Sequence, residues 1–290
     1  MGPAILYMSL ACISTTLMGV CVKQLSEIPM IQILMFRSVI NLFVLLVVIN
    51  KKKLSVVGKK ENLKLLFCRG IFGTIGLSLY FLTFHHMPLA NAVTLQNLSP
   101  IFTLIVAWQL GEKIFQAQWL LIFCAFFGVY LFYGAGLQSP DWYTLLGIIS
   151  AFLSGCTYNT IRILKGKEAP EVIMLYFPVV TIPVILIPTI INWISPDLSQ
   201  LLLLLSVGLT TFLGQYFLTR AFQSADASKV APFTYLGVVI AVFVGQVFYN
   251  EEIGLTSLCG VAITTASLIL LSRVKDNSGM VFFKKKASGT

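Results

Sequence analysis

The chain has 290 residues, of which 57% are apolar and only 11% are charged, and its formal net charge is +9. A soluble domain carries roughly 25% charged residues, so this composition excludes a fold that faces water on all sides. Ten apolar segments of about 18–24 residues are each long enough to cross a hydrocarbon core about 30 Å thick. We therefore expect an all-α integral membrane protein that contacts the lipid bilayer along residues 4–22, 29–50, 63–85, 88–110, 117–135, 142–163, 171–193, 199–221, 228–249 and 255–273.

The lysines are unevenly distributed among the loops, which we number in chain order. The second loop is lysine-rich (residues 51–53, 59, 60 and 64), and further lysines lie in the fourth, sixth and eighth loops and in the tail. Odd-numbered loops offer only Lys23. The positive-inside rule therefore predicts that both termini are cytoplasmic. A basic tail (residues 275–290) beside an anionic leaflet explains the net charge without a nucleic-acid partner.

The second segment carries Arg37 close to the predicted midplane, and Asn41 follows one helical turn later on the same face. An arginine at this depth is costly and usually faces a wet cavity or the bundle interior. The sequence therefore predicts that Arg37 binds substrate, with a structural arginine bonded to backbone carbonyls as the alternative. In the third segment, Arg69 lies about six residues from the cytoplasmic end, and we expect it to snorkel to the interface.

Two segments place polar residues beside a proline at mid-membrane depth. In the fourth segment, Gln96 and Asn97 precede Pro100, and in the ninth, Thr234 and Tyr235 follow Pro232. Proline removes a helical hydrogen bond, so the freed carbonyls are available to a cavity. These four residues are candidate substrate ligands; kinked helices whose polar groups bond to neighbouring helices are the alternative.

The sixth and eighth segments add four more candidates for substrate binding, Tyr158, Asn159, Gln215 and Tyr216, for which core packing is the alternative. In the third segment, Gly70, Gly73 and Gly76 form a stripe that would let a second helix approach closely. The six cysteines lie in apolar segments without a C-x-x-C pair, so we expect neither a metal site nor a disulfide framework. No cofactor is predicted.

A long internal repeat divides the chain. The stretch from Phe84 to Lys113 recurs about 138 residues later from Phe222 to Glu252, and ILMFRSVI (33–40) matches IMLYFPVV (173–180). We assign residues 1–138 to a first half and residues 139–274 to a second half. Five spans per half is an odd number, so the second half would be inserted upside down. Such inverted repeats are a recurring architecture of secondary transporters, with the substrate site near the midplane between the halves.

Acidic residues are absent from the middle of every predicted span. A cation exporter would need a buried carboxylate, so a substrate with a carboxylate or another anionic group is favoured. The same absence leaves the coupling ion open, because a buried carboxylate is the usual proton carrier.

Three stretches carry a family resemblance: FRSVINLFVLL, CRGIFGTIGLSLYFLTFHHMPLANAVTLQNLSPIFTLIVAWQLGEK and AFQSADASKVAPFTYLGVVIAVFVGQVFYNEE. They resemble the EamA-type ten-helix members of the drug/metabolite transporter superfamily, over nearly the whole chain. The resemblance implies a secondary transporter of the bacterial inner membrane that works by alternating access. AFQSADASKVAPFTYL looks most like the subgroup that contains S-adenosylmethionine uptake carriers.

The favoured function is therefore secondary transport of a small polar metabolite with a carboxylate or another anionic group, for which the resemblance offers S-adenosylmethionine; the residues do not give the direction of transport. Export of amino acids or related metabolites is the main alternative. A non-transporting or lipid-handling membrane protein is an alternative from another class. An intramembrane enzyme is disfavoured, because the sequence has no H-E-x-x-H motif and no paired deep aspartates. A homodimer is left open.

Overall fold

A computed structural model describes residues 2–86, 89–133, 142–249 and 254–273, and its regular structure is helical throughout. The repeat boundary at residues 138 and 139, the acidic end of the second half (Glu251 and Glu252) and the basic tail lie outside this part. Two 3₁₀ segments cover Lys60–Asn62 and Ala231–Tyr235. The α-helices are α1 (Gly2–Lys23), α2 (Met30–Lys51), α3 (Leu63–His86), α4 (Leu89–Gln96), α5 (Ser99–Gln109), α6 (Gln116–Tyr133), α7 (Trp142–Ile163), α8 (Pro170–Ile191), α9 (Leu198–Ser224), α10 (Ala227–Val230), α11 (Leu236–Tyr249) and α12 (Leu255–Arg273).

Six helices in the described ranges, α1, α2, α3, α7, α8 and α9, are long and apolar enough to cross a membrane. The segments 88–110 and 228–249, each expected to form one helix with a proline inside it, are instead broken. In a continuous helix, Pro100 would leave the carbonyl of Gln96 without a donor and its ring would clash with that carbonyl, and α4 ends at Gln96. In the second half, Pro232 lies in the 3₁₀ stretch that separates α10 from α11.

The helices of the two halves pack in an exchange-symmetric way. Helix α1 of the first half packs on α9 of the second. The counterpart of α1 is α7 and that of α9 is α3, and these two helices pack on each other as well. Helix α2 packs on α9 as α8 packs on α3, and the counterpart pairs α2/α8 and α6/α12 pack on each other. This is the contact pattern of two similar units related by a twofold rotation.

Residues at equivalent positions of the two halves meet directly where this rotation axis passes. The hydroxyl of Tyr235 donates to the carbonyl oxygen of Asn97 at 2.8 Å. The hydroxyl of Thr264 donates to the carbonyl oxygen of Ala125 at 3.2 Å. The sequence repeat pairs the same residues, with offsets of 138 and 139. The bond to Asn97 also uses polar backbone at the break between α4 and α5.

The even-numbered loops bond to one another on one face of the bundle. The carboxylate of Glu168 accepts from the backbone N–H of Lys59 at 2.9 Å and from the side-chain amide of Asn62 at 2.7 Å. Lys52 donates to Glu171 at 2.6 Å. The second and sixth loops are therefore held together, and the lysine-rich loops share this face.

Glu112 joins the fourth loop to the start of α10 on the same face. Its carboxylate accepts from the backbone N–H groups of Ala227 and Ser228, at 3.3 and 3.2 Å, and from the Ser228 hydroxyl at 2.7 Å. Arg162 lies 3.7 Å from Glu112 and donates to Asp226 at 2.7 Å. A carboxylate of the first half thus caps backbone donors of the second half.

The halves also meet on the opposite face, where the odd-numbered loops lie. Gln32 exchanges two hydrogen bonds with the backbone of Ile194, at 2.7 and 3.0 Å, and Gln200 donates to Glu27 at 3.2 Å. A groove of about 660 Å³ opens here, lined by the α1–α2 loop, parts of α2 and α3 and Asn192.

The predicted glycine stripe of α3 does let other helices approach closely. A Cβ atom at Gly70 would lie 2.5 Å from the carbonyl oxygen of Tyr176 in α8. A Cβ atom at Gly76 would lie 3.3 Å from Leu153 in α7. Helices of the second half therefore reach the backbone of α3, as the stripe predicted.

Candidate functional site

A small polar cavity lies between the two halves. Its volume is about 120 Å³, and both halves contribute to its walls. It is lined by Arg37, Arg69, Gly73, Gly76, Leu77, Tyr80, Gln96, Ser154, Thr157, Tyr158, Phe177 and Gln215.

Arg37 is 9% exposed, and its guanidinium carbon lies 5.7 Å from the ring centroid of Phe177. Phe177 is the residue that the sequence repeat places opposite Arg37, so the two counterparts meet in the cavity. Within the described part of the chain, the Nε atom of Arg37 has no hydrogen-bond partner. The alternative was a structural arginine that donates to backbone carbonyls. Among the described residues, Arg37 makes no hydrogen bond to a backbone carbonyl.

Arg69 is also buried in this cavity, at 3% exposure, so the expectation that it snorkels to the interface is wrong. Its guanidinium carbon lies 5.4 Å from the Phe177 ring centroid, and its Nη2 donates to Gln215 at 3.2 Å. Gly73, one helical turn later, leaves the space: a Cβ atom there would lie 2.6 Å from Nη1 of Arg69. The side chain therefore extends along its own helix into the bundle interior instead of toward the loop.

Gln96 and Gln215, both predicted site residues, line the cavity with fixed amides. The amide nitrogen of Gln96 donates to the Ser154 hydroxyl at 2.9 Å, and its oxygen accepts from Ser150 at 3.0 Å. The amide oxygen of Gln215 accepts from Arg69 at 3.2 Å. Each side chain is thus oriented by a neighbour.

Tyr158 is the predicted aromatic residue that reaches the cavity. It stacks on Phe222 with the ring centroids 4.7 Å apart and the rings nearly parallel. One face of the tyrosine is therefore covered, and the residue still contributes to the cavity wall.

Three predicted site residues at the helix breaks do not line the cavity. The side chain of Asn97 donates to the carbonyl of Val93 at 2.9 Å, and that of Thr234 donates to Ala231 at 2.8 Å. Tyr235 is fully buried and uses its hydroxyl on Asn97. Asn97 and Thr234 thus bond within their own segments, whereas Tyr235 bonds to the neighbouring broken segment, as the alternative expected.

Asn41, Asn159 and Tyr216 also lie outside the cavity wall. Asn41 is buried one turn from Arg37, and its amide oxygen has no partner among the described residues. Asn159 donates to the carbonyls of Thr103 and Gly155, both at 3.0 Å. Tyr216 has its ring 5.9 Å from the guanidinium of Arg220. The structure therefore gathers Arg37, Gln96, Tyr158 and Gln215 of the ten predicted residues.

The cavity also contains residues that the sequence reading did not select, above all Arg69 and Phe177. A usable signal for Arg69 was present: Gly73 follows it at i+4, so the same helix face carries a long cation and an empty space. Phe177 gave no comparable signal, because an apolar residue in an apolar helix is ordinary.

The charge of this site is one-sided. Glu171, in the first turn of α8, is the only acidic residue within the described α-helices, and it pairs with Lys52 at the even-loop face. Two buried guanidinium groups therefore share a cavity with amides, hydroxyls and aromatic rings but without a carboxylate. This set favours a negatively charged or strongly hydrogen-bonding ligand.

The sequence pattern of the EamA-like transporter family matches the chain twice, over residues 2–134 and 141–273. A crystal structure superposes with a TM-score of 0.80 over 94% of this chain and 98% of the other, at 16% identity, which shows a shared fold.

Relatives with named functions are similar over most of the chain. The pseudopaline exporter CntI of Pseudomonas aeruginosa is 31% identical over 271 residues, 92% of this chain and 94% of that protein. The riboflavin transporter of Rhizobium johnstonii is 29% identical over 70% of this chain and 68% of that protein. The S-adenosylmethionine uptake transporter of Rickettsia bellii is 26% identical over 70% of each chain. The chain therefore belongs to the EamA-like transporter family, in the drug/metabolite transporter superfamily, and is a membrane transporter rather than an enzyme.

Proposed function

We propose that this protein is a secondary transporter that carries a small polar metabolite with a carboxylate or another anionic group, and that Arg37 binds that group. The observation that carries the proposal is the position of Arg37, which is buried between the two halves and contacts its own counterpart, Phe177. An ionised group without a partner is expensive to bury, so the guanidinium is suited to a ligand that brings the missing negative charge.

The proposed architecture has ten spans arranged as two inverted five-helix repeats. The exchange-symmetric packing and the grouping of even and odd loops on opposite faces both support this arrangement. The helices α4/α5 and α10/α11 then cross as broken pairs, as in other transporters with discontinuous helices at the midplane. Lysine-rich even loops favour cytoplasmic termini in a bacterial inner membrane.

Alternating access fits the difference between the two faces. Ion pairs and a carboxylate cap close the even-loop face, whereas a groove opens on the odd-loop face. A transport cycle would require the contacts of Glu112 and Arg162 to open and the odd-loop contacts to close, with the cavity between them.

The charge of the cavity bears on the choice of substrate. S-adenosylmethionine, which the Rickettsia relative takes up, has a carboxylate that suits Arg37, but its ammonium and sulfonium groups would face two buried arginines. Like charges in a low-dielectric site repel strongly. The cavity volume of about 120 Å³ is also below the ~300–1,000 Å³ of typical pockets for drug-sized ligands. A smaller, net anionic metabolite therefore fits the described conformation better.

The decisive experiment is transport by purified protein in liposomes. Arg37→Ala should abolish uptake of an organic anion while leaving the melting temperature close to that of the wild type. Arg220→Ala is the matched control, because Arg220 lies 5.6 and 5.9 Å from the rings of Tyr7 and Tyr216 and does not line the cavity. Uptake retained by Arg37→Ala would remove Arg37 from the site.

The same liposomes separate the remaining alternatives. If efflux from preloaded vesicles were faster than uptake into empty ones, export of amino acids or related metabolites would be favoured. The Pseudomonas relative is named as an exporter. The absence of saturable flux for any soluble metabolite would favour a lipid-handling or non-transporting protein. A thermal-shift screen narrows the substrates first, because a ligand that binds the folded state raises stability by RT ln(1 + [L]/Kd).

A further inference from the structure

We infer that Arg37 and Arg69 together form a binding site for a small organic dianion, such as a dicarboxylate, in which each guanidinium takes one negative group. This inference rests on the proposed function and makes its substrate class narrower: two anionic groups instead of one.

The first step is geometric. Both guanidinium carbons face the ring of Phe177, at 5.7 and 5.4 Å from its centroid. Since the two distances share one centroid, the carbons are separated by no more than their sum, about 11 Å. A bidentate arginine–carboxylate pair has N···O distances of about 2.7–2.9 Å. One small molecule with two carboxylates can therefore reach both groups.

The second step is electrostatic. The two cations are buried together, and the described α-helices contain no acidic residue at this depth. The ring of Phe177 and the amide of Gln215 offset part of the desolvation cost, but neither supplies charge. The Nε atoms of both arginines also lack hydrogen-bond partners in the described structure. A monoanion would neutralise one of the two positive charges, whereas a dianion neutralises both.

The third step concerns the space around Arg69. Gly73 leaves room for its guanidinium, and a Cβ atom at that position would lie 2.6 Å from Nη1 and 2.9 Å from the Phe177 ring. Gln215 of the second half holds the other end of the same guanidinium. The group is therefore positioned from two sides, with its Nε left free in the interior.

The experiment compares succinate with butyrate, two four-carbon acids that differ by one carboxylate, in binding to the full-length protein in detergent. We expect succinate to bind at least tenfold more tightly than butyrate. Arg69→Gln should reduce succinate affinity to about that of butyrate and leave butyrate within threefold, and Arg69→Lys should recover part of the difference. Lys64→Gln, which removes an exposed charge from the same helix, is the matched control and should change neither affinity.

The outcomes separate the inference from the proposed function. Equal affinities for succinate and butyrate, both lost in Arg37→Ala, would overturn the dianion site and leave the anion transporter standing. No binding of either acid, together with no flux of any organic anion, would overturn both. Gly73→Ala keeps both arginines but fills the space beside Arg69, so it provides the test should Arg69→Gln not fold. Selective loss of succinate binding in Gly73→Ala supports the site, and unchanged selectivity contradicts it.

Discussion

Tyr235 donates a 2.8 Å hydrogen bond to the backbone carbonyl of Asn97, and the two residues occupy the same position in the two halves of the chain. Each lies at a helix break and three residues from a proline. A residue can meet its own counterpart only where the rotation axis passes, so this bond lies on the axis. It also joins the two broken segments to each other.

Replacing Tyr235 with phenylalanine should lower the stability of the protein without closing the cavity, because neither Tyr235 nor Asn97 lines it. The substitution leaves the carbonyl of Asn97 without this donor, at a cost of about 1–3 kcal/mol for a buried group. We expect a fall of a few degrees in the melting temperature measured in detergent. Tyr130→Phe, on α6, is the control and should melt like the wild type. An unchanged melting temperature for Tyr235→Phe would show that the bond between the breaks is dispensable.

Phe177→Leu should weaken anion binding, because the ring faces both guanidinium groups. A cation–π contact contributes up to about 2 kcal/mol when it is desolvated, and 1.4 kcal/mol corresponds to a tenfold change in affinity. We expect the affinity for an organic anion, measured by isothermal titration calorimetry, to fall by about tenfold. Phe43→Leu, which removes a ring that is 68% exposed on α2, should leave binding unchanged. Equal affinities for the two variants would rule out the ring as a support for the arginines.

Glu112→Gln should favour opening of the even-loop face. The carboxylate accepts three hydrogen bonds from Ala227 and Ser228, and bonds to charged groups contribute about 1.5–3 kcal/mol each. In a variant without the native cysteines, a cysteine in place of cavity residue Ser154 should react about tenfold faster with an impermeant thiol reagent added on that face. Asp197→Asn is the matched control, because it removes an acidic cap from α9 on the opposite face. Slower or equal labelling in Glu112→Gln would contradict a closing role for this contact.

Asp226 should make the protein sensitive to acid. Burial raises the pKa of this carboxyl, but hydrogen bonds and charge interactions with Arg162 and Lys229 outweigh burial, so the pKa lies below its ordinary value of 3.8. A lowered folded-state pKa contributes stability that is present above the ordinary value and is lost as the pH falls through the folded-state pKa. We expect Asp226→Asn to melt below the wild type at pH 7, with the difference shrinking below about pH 4. A constant difference from pH 7 to pH 3 would assign the effect to packing instead.

Several features of this fold follow from short-range rules and could therefore be predicted. Segment length and apolar content located the helices, and Pro100 and Pro232 marked the two segments that break, although a single kinked helix was expected in each case. The depth of Arg37 predicted a buried cation. The internal repeat predicted two similar halves and matched Asn97 with Tyr235 in sequence, but the hydrogen bond between these two residues was not predicted.

The composition of the cavity depended on helix rotation, which the sequence constrains weakly in an apolar chain. Asn159 and Gln215 were both predicted to bind substrate. Asn159 instead donates to the carbonyl of Thr103, away from the cavity, whereas Gln215 lines the cavity and accepts from Arg69. Counting residues from the membrane surface failed for Arg69, because depth along a helix does not say which way a long side chain points. The direction of the Arg69 side chain follows from Gly73, one helical turn later, which leaves space for the guanidinium.

Both cations of the cavity belong to α2 and α3, whereas α8 and α9 supply the ring of Phe177 and the amide of Gln215. A substrate bound by those two guanidinium groups would stay with the first half while the second half moved relative to it. Once the loops on one face had separated, release would require the wall with Phe177 and Gln215 to withdraw, while the two guanidinium groups stayed in place until solvent ions replaced the cargo.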